Sequence, residues 1–237
     1  MKSELDTVAT YARSMGWDIR ARTVLVEGTT DVALFELAAR TERKDAGVDL
    51  FANGLAIIAA GEGDQGGTRG VIRELNALRC LARASLMPNG RPRYRFVGLF
   101  DNDHAGRQAI SGARVVDTSI LEYKDVFRLR PVMPCSGNLD PKTLEKAFDH
   151  VNAEFVGLDW ALEDLLPVEF LDAFRADFPT AIRRRCQKSG KTHWEFTPDG
   201  KARLHRYIRN HSMRADLLAV IDVVRALRFY LGLPRIT

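Results

Sequence analysis

Cysteine is scarce in this chain and never paired. Cys80, Cys135 and Cys186 are the only three, far apart and without metal-ligand spacing. That excludes a zinc ribbon and a disulfide frame, and it fits a reducing compartment. Long apolar runs are missing too, for none approaches the roughly 18 residues of a membrane span. The opening Met1-Lys2-Ser3-Glu4-Leu5-Asp6 lacks the apolar core of a signal peptide. The expectation is a cytoplasmic protein with no membrane partner. Strong charge of one sign is also lacking, with a net charge of only +4. Arg183-Arg184-Arg185 with Lys188 and Lys191 is a local basic cluster, either a solvated face or a phosphate contact. No internal repeat or low-complexity segment stands out.

What is present is enough apolar material for a core, 46% of 237 residues, in one large domain or a domain plus an appendage. Four short apolar runs punctuate the first half: Thr23-Val24-Leu25-Val26, Leu55-Ala56-Ile57-Ile58-Ala59-Ala60, Phe96-Val97-Gly98-Leu99-Phe100 and Val126-Phe127-Arg128-Leu129. Each reads as a strand, the longer ones buried on both faces. Helical patterns fall at about 3–15, 31–43, 70–86 and 104–113. The order β-α-β-α-β-α-β, with long crossovers, predicts a parallel sheet with helices on both faces. After Pro131 and the linker-like Pro134-Cys135-Ser136-Gly137-Asn138 the pattern becomes mainly helical. Helices are expected at about 141–153, 160–166, 168–176, 179–187, 199–210 and 213–231, with Thr192-His193-Trp194-Glu195-Phe196 as a short strand. The last helix has a broad apolar face, read as core packing, with a dimer face as the alternative.

The chemistry lies at strand ends. The third apolar run ends on Asp101-Asn102-Asp103, and acids at i and i+2 of an extended segment point the same way. That edge is where open α/β sheets bind ligands. Two carboxylates there repel, and a divalent cation with oxygen ligands relieves the repulsion. The alternative is a turn with solvated acids. The first run ends on Glu27-Gly28-Thr29-Thr30-Asp31. Glu27 leaves the strand tip, Gly28 permits a tight turn, and Thr29 or Thr30 can cap the next helix. Asp31 sits in that helix's first turn, where its charge also suits the dipole. If the first and third strands are neighbours, Glu27, Asp31, Asp101 and Asp103 converge. The glycine-rich Gly61-Glu62-Gly63-Asp64-Gln65-Gly66-Gly67 can cradle phosphates but lacks the P-loop ending. His104 reads as a helix start rather than a ligand. Arg69 and Arg107 have no specific support as phosphate contacts.

Val26-Glu27-Gly28-Thr29-Thr30-Asp31 followed by Phe100-Asp101-Asn102-Asp103-His104-Ala105-Gly106 resembles the signature of a TOPRIM domain. Primases, type IA and II topoisomerases, small ribosomal RNA maturation nucleases and the overcoming-lysogenization-defect (OLD) nucleases share that domain. The resemblance implies a Rossmann-like α/β TOPRIM domain in residues 1–131 (core about 20–131), with a central four-stranded parallel sheet. A mainly helical C-terminal region, 132–237, would contribute to the site. Two later segments resemble the OLD branch: Trp160-Ala161-Leu162-Glu163-Asp164-Leu165-Leu166-Pro167, its acidic motif, and Gly200-Lys201-Ala202-Arg203-Leu204, its lysine motif. Ala161 stands where the branch often has the first of two acids, which leaves Glu163 and Asp164 as alternatives. OLD nucleases carry an N-terminal ATPase and this chain shows none. The resemblance therefore implies a stand-alone nuclease, or one whose ABC/SMC-like ATPase is a separate polypeptide.

The implied activity is a metal-dependent endonuclease or nickase acting on DNA rather than RNA, in anti-phage defence. The implied cofactor is Mg2+ or Mn2+, two ions about 4 Å apart, held by Glu27, Asp31, Asp101, Asp103 and Glu163. Glu27 is alternatively the general base, and Lys201 a phosphate stabiliser or proton-transfer group. A homo-oligomer is a further expectation. Two rivals remain. One is a primase-like nucleotidyl transferase, with which Asp-x-Asp-x-Ala-Gly is compatible although zinc-ribbon cysteines are missing. The other is a non-catalytic regulatory or scaffold subunit, against which the intact acids argue. A topoisomerase would need a tyrosine-bearing cleavage domain that cannot be identified here.

Overall fold

A computed structural model describes residues 6–61, 66–135 and 137–236. The middle of the glycine-rich loop, 62–65, and Ser136 of the linker lie outside the described residues. Four apolar runs become β1 (Arg22–Val26), β2 (Leu55–Ala59), β3 (Arg95–Phe100) and β4 (Val126–Arg128). They form one parallel sheet in the order β2-β1-β3-β4. Leu25 lies opposite Ile58 on one side and Gly98 on the other, so the first and third strands are neighbours. A first helix, α1 (Thr7–Ser14), precedes the sheet, and α2 (Thr29–Ala46), α3 (Gly67–Ala82) and α4 (His104–Val116) make the crossovers.

Side-chain alternation sorts these strands into two cores. Val24, Val26, Ile57, Val97 and Leu99 pack with Leu34 and Phe35 of α2. Leu25, Ile58, Phe96 and Phe100 pack on the other face with Val71 and Leu75 of α3 and Ile110 of α4. Burial on both faces explains why these runs are apolar throughout rather than alternating.

The face that α2 covers only in part is completed by the rest of the chain. It comprises α5 (Pro141–Val151), α6 (Val168–Asp177), a hairpin of β5 (Ile182–Lys188) and β6 (Lys191–Phe196), α7 (Pro198–His211) and α8 (Leu218–Tyr230), joined by short 3-10 turns. Tyr230 of α8 stacks on Phe127 of β4 with ring centroids 4.6 Å apart, and its hydroxyl donates to the Pro134 carbonyl at 3.0 Å. One continuous core thus runs from β1 to α8.

Two expectations need correction. The helix expected at 179–187 is instead a 3-10 turn, Pro179–Ala181, followed by strand β5. Arg, Gln and Lys favour a helix by local propensity, but Ser189 and Gly190 take φ of 46° and 77° and close a two-residue hairpin. Cross-strand pairing then decides the outcome: the Arg185 guanidinium lies 4.6 Å over the Trp194 ring opposite it. The helix expected at 160–166 is only the 3-10 turn Leu162–Leu165, because the chain before it is extended and Pro167 follows. Among the described residues no helix is long and apolar enough to cross a membrane.

A buried carboxylate fastens α2 to the end of the chain. Glu42, 1% exposed, accepts from Arg214 Nε at 2.6 Å and from Arg225 Nη2 at 2.8 Å. The Arg214 hydrogen bond, with help from Arg225, holds the Glu42 carboxyl below its ordinary value of 4.5. A lowered pKa in the folded state adds stability that is present above 4.5 and lost as pH falls below it. Glu42→Gln should cost about 2 kcal/mol in urea unfolding at pH 7, less than a fully buried pair because both arginines are partly exposed. The gap between variant and parent should shrink as the pH is taken below 4.5.

Candidate active site at the strand ends

β1 and β3 lie side by side, yet α2 leaves β1 toward one face and α4 leaves β3 toward the other. Such a divergence opens a crevice at the carboxyl ends of the strands. Glu27 is the first residue beyond β1 and Asp101 the first beyond β3. The two tips are neighbours: the Asp101 backbone amide is near enough to the Glu27 carboxyl to favour its charged form. Asp31, in the first turn of α2, accepts from Gly28 N at 3.1 Å. Asp103 caps α4, its Oδ1 accepting from Gly106 N at 2.7 Å. Gly106 is needed there, because a Cβ at this position would stand 2.0 Å from the Asp101 carbonyl oxygen.

The C-terminal half supplies the remaining groups through a short β-bridge. Asn102 N donates to Trp160 O at 2.8 Å, and Trp160 N returns a bond to Asn102 O at 3.2 Å. Leu162 N then donates to Asp101 Oδ1 at 3.1 Å. This sets Glu163, 2% exposed, beside the carboxylates. Its Oε1 lies 2.9 Å from Lys201 Nζ and 3.2 Å from His205 Nε2. Asp164 turns the other way. It accepts from Ala161 N at 2.7 Å and Trp194 N at 2.8 Å, and it lies 2.6 Å from His193 Nδ1. Of the two alternatives, Glu163 faces the cluster and Asp164 ties the turn to the hairpin. Lys201 reaches in because Gly200 lets α7 press on the preceding turn; a Cβ there would stand 2.1 Å from the Ala181 carbonyl oxygen.

Glu27, Asp31, Asp101, Asp103, Glu163 and Lys201 are therefore gathered in one place. Glu27, Asp31 and Lys201 line a hollow of about 480 Å³ together with Gly61 and Gly66, the two ends of the glycine-rich loop. Its electrostatics are strained. Burial, then Asp31 and Asp103, push the Glu27 carboxyl up to about 7. Burial, then Glu163 and Glu27, push Asp101 well above its ordinary value. Asp31 is raised by burial and by Glu163, with Lys201 opposing. Burial acts on Glu163 in the same sense, but hydrogen bonds from His205 and Lys201 override it and hold this carboxyl at about 2. For Lys201 burial favours the neutral amine, and Glu163, Asp101 and Asp31 prevail to keep it charged.

Sequence reasoning missed two participants. His205 lies one helical turn beyond Lys201, and that i, i+4 spacing was the available signal. Asn102, buried, donates its amide to Leu158 O at 3.2 Å and accepts from Arg128 at 3.2 Å; the middle residue of Asp-x-Asp gives no sign of this. His104 is exposed at the start of α4, away from the carboxylates' hydrogen bonds. Arg107 pairs with Asp159 at 2.8 Å, and Arg69 is exposed.

Five carboxylates against one ammonium form a hard-oxygen donor set with surplus negative charge. That chemistry fits a divalent ion of the Mg2+ kind, which keeps several waters and needs few protein oxygens. Among the described residues no group of three or more acids, histidines or cysteines is set, as placed here, to hold a metal ion of any kind, so an ion would have to draw these carboxylates together and keep water as its other ligands. Comparison with protein-family models, curated proteins and solved structures found no match. Fold and site define a class: an open parallel α/β protein with carboxylates and one lysine gathered where two adjacent strands part.

Two predictions follow from this geometry. A carboxyl raised from 4.5 to about 7 on folding gives stability that is full below 4.5 and lost as pH rises through 7. In EDTA the parent chain should lose stability over that range. Glu27→Gln should flatten the decline and exceed the parent at pH 8 by on the order of 2 kcal/mol. On α4, Gly106→Ala should destabilise by about 3 kcal/mol, since backbone must move. Gly112→Ala, with nothing within 4 Å of its Cβ, should stabilise by about 0.5–1 kcal/mol. Thermal melts of the three proteins check this.

Proposed function

We propose that this chain is a divalent-ion-dependent nuclease of the TOPRIM type, hydrolysing phosphodiester bonds in DNA. The observation that carries the reading is that Glu27, Asp101 and Glu163, from three separate segments, lie close enough to act on one another's charge, with Lys201 paired to Glu163 among them. The order of the two strand-end motifs and the OLD-like acidic and lysine segments supports the family. In the OLD branch an ATPase accompanies the nuclease, and we include an ATPase partner in the proposal.

Hydrolysis adds a water oxygen to phosphorus and breaks the bond to the leaving sugar oxygen. The water's proton must go to a base, and the leaving oxygen must gain one. Glu27, with its carboxyl at about 7, suits the role of acceptor near neutral pH. Lys201, held charged by Glu163, places fixed positive charge where the phosphoryl oxygens become more negative. His205 bonds the same Glu163 oxygen and so fixes the carboxylate that orients Lys201. Asp31, Asp101, Asp103 and Glu163, with Glu27, are the residues that would hold Mg2+ or Mn2+. When bound, the ion supplies charge against the phosphoryl group and makes water more acidic.

Nicking of supercoiled plasmid checks the proposal. Activity should require Mg2+ or Mn2+ and vanish in EDTA. Asp101→Asn and Glu27→Gln should each lower the rate by at least ~100-fold. A variant that nicks as fast as its parent overturns the proposal.

A further inference from the structure

Helix α7 carries Lys201, Arg203, Arg206 and Arg209 against a single acid, Asp199. Lys201 turns inward to Glu163. Arg203, Arg206 and Arg209 are exposed, at spacings of three residues. Many arginines elsewhere are taken up by carboxylates, among them Arg79 by Asp125, Arg107 by Asp159, Arg128 by Glu122, and Arg214 and Arg225 by Glu42, while others such as Arg69 and Arg114 stand exposed on α3 and α4. Among the described residues, Arg206 and Arg209 have no hydrogen-bond or ion-pair partner.

These two arginines line a groove of about 440 Å³ between α7 and the start of α2. Thr29 and Thr30 form part of its wall and also part of the acidic hollow's wall, so groove and hollow adjoin at the start of α2. Arg206 also borders a second hollow of about 500 Å³, shared with Arg203 and Tyr207. Unpaired guanidinium forks on a concave wall suit phosphate, which they bind in bidentate fashion. The acid cluster beside the groove repels any polyanion, an acidic peptide included, so the choice of ligand rests on spacing. A chain of regularly spaced phosphates can place one group at the cluster and others along the helix. From Lys201 to Arg209 the helix rises about 12 Å, so several such groups fall within reach.

We infer that the α2–α7 groove is the track for the nucleic-acid backbone, with Arg206 and Arg209 contacting phosphates that flank the one at the carboxylates. This rests on the nuclease reading for its orientation, but its test does not depend on cleavage. Labelled oligonucleotides, single-stranded and duplex, are titrated in EDTA over a range of KCl, followed by fluorescence anisotropy. Each phosphate contact contributes about 0.9 to the salt slope of duplex binding and about 0.7 to that of a single strand. Arg206→Gln/Arg209→Gln should therefore lower the slope by about 1.8 for the duplex or about 1.4 for the single strand, and the probe whose slope falls is the one the groove takes. The weakening should be the same for unrelated sequences. Arg114→Gln, an exposed cation on α4, should leave the slope unchanged. A double variant that keeps the parent's slope overturns the track, even if plasmid is nicked, and so does a parent chain that fails to bind. A lowered slope with no nicking by the parent leaves the track standing and removes the nuclease.

Discussion

Two parallel strands that lie side by side but send their helices to opposite faces cannot close the space between their tips. Everything at the proposed site depends on that constraint. The sheet hydrogen bonds that join β1 to β3 stop short of Glu27 and Asp101. Beyond them each chain turns away, one into α2 and the other into α4. The Asp101 amide is left near the gap, where it favours the charged form of the Glu27 carboxyl. Carboxylates placed at such tips share one small volume, and burial then turns mutual repulsion into raised pKa values. The strain at Glu27 and Asp101 is thus a consequence of topology before it is a matter of chemistry.

The C-terminal half is what makes that strain tolerable. It covers the part of the sheet that α2 leaves bare, and its loops return to the strand tips. The Asn102–Trp160 bridge sets the height of Glu163, and Gly200 against Ala181 sets that of Lys201. Neither of these residues reaches the site from its own segment alone. Asp164 and Asn102 each fix the backbone next to a residue of the acid cluster. A lone acidic cluster would relax apart or bind protons. Here one ammonium, with a histidine behind it, keeps Glu163 charged at the centre.

Much of this was legible in the residues. The four strands, their crossovers and the acids at two strand ends followed from uninterrupted apolar runs that break on polar residues. Those runs are long-range facts in local form, since only a strand covered on both faces needs them. The choice between Glu163 and Asp164 was not legible. Adjacent acids in a 3-10 turn face different ways, and only the amides of Ala161 and Trp194 show which is occupied. The β5–β6 hairpin was also hidden, because its residues favour a helix and its strand character comes from partners across the turn. His205 fell between: its spacing from Lys201 was visible, but Glu163, which gives the spacing meaning, lies on another element.

Charge is distributed with a purpose that the overall value of +4 conceals. An acidic hollow repels the polyanion it is proposed to cut, and no arrangement of carboxylates alone can overcome that. The affinity has to come from somewhere that does not neutralise the carboxylates themselves. The proposed arginine track one groove away would meet that need: it would attract phosphates through the surface field while remaining too far along α7 to pair with the acids. Lys201 stands at the boundary, on the basic helix by sequence and among the acids by contact. Had Arg206 or Arg209 found a carboxylate, as Arg214 and Arg225 found Glu42, the groove would be one more fastening between helices. Other arginines are unpaired as well, but Arg206 and Arg209 stand together on one concave wall beside the acids, and that placement is the physical reason to read this face as one that receives a ligand.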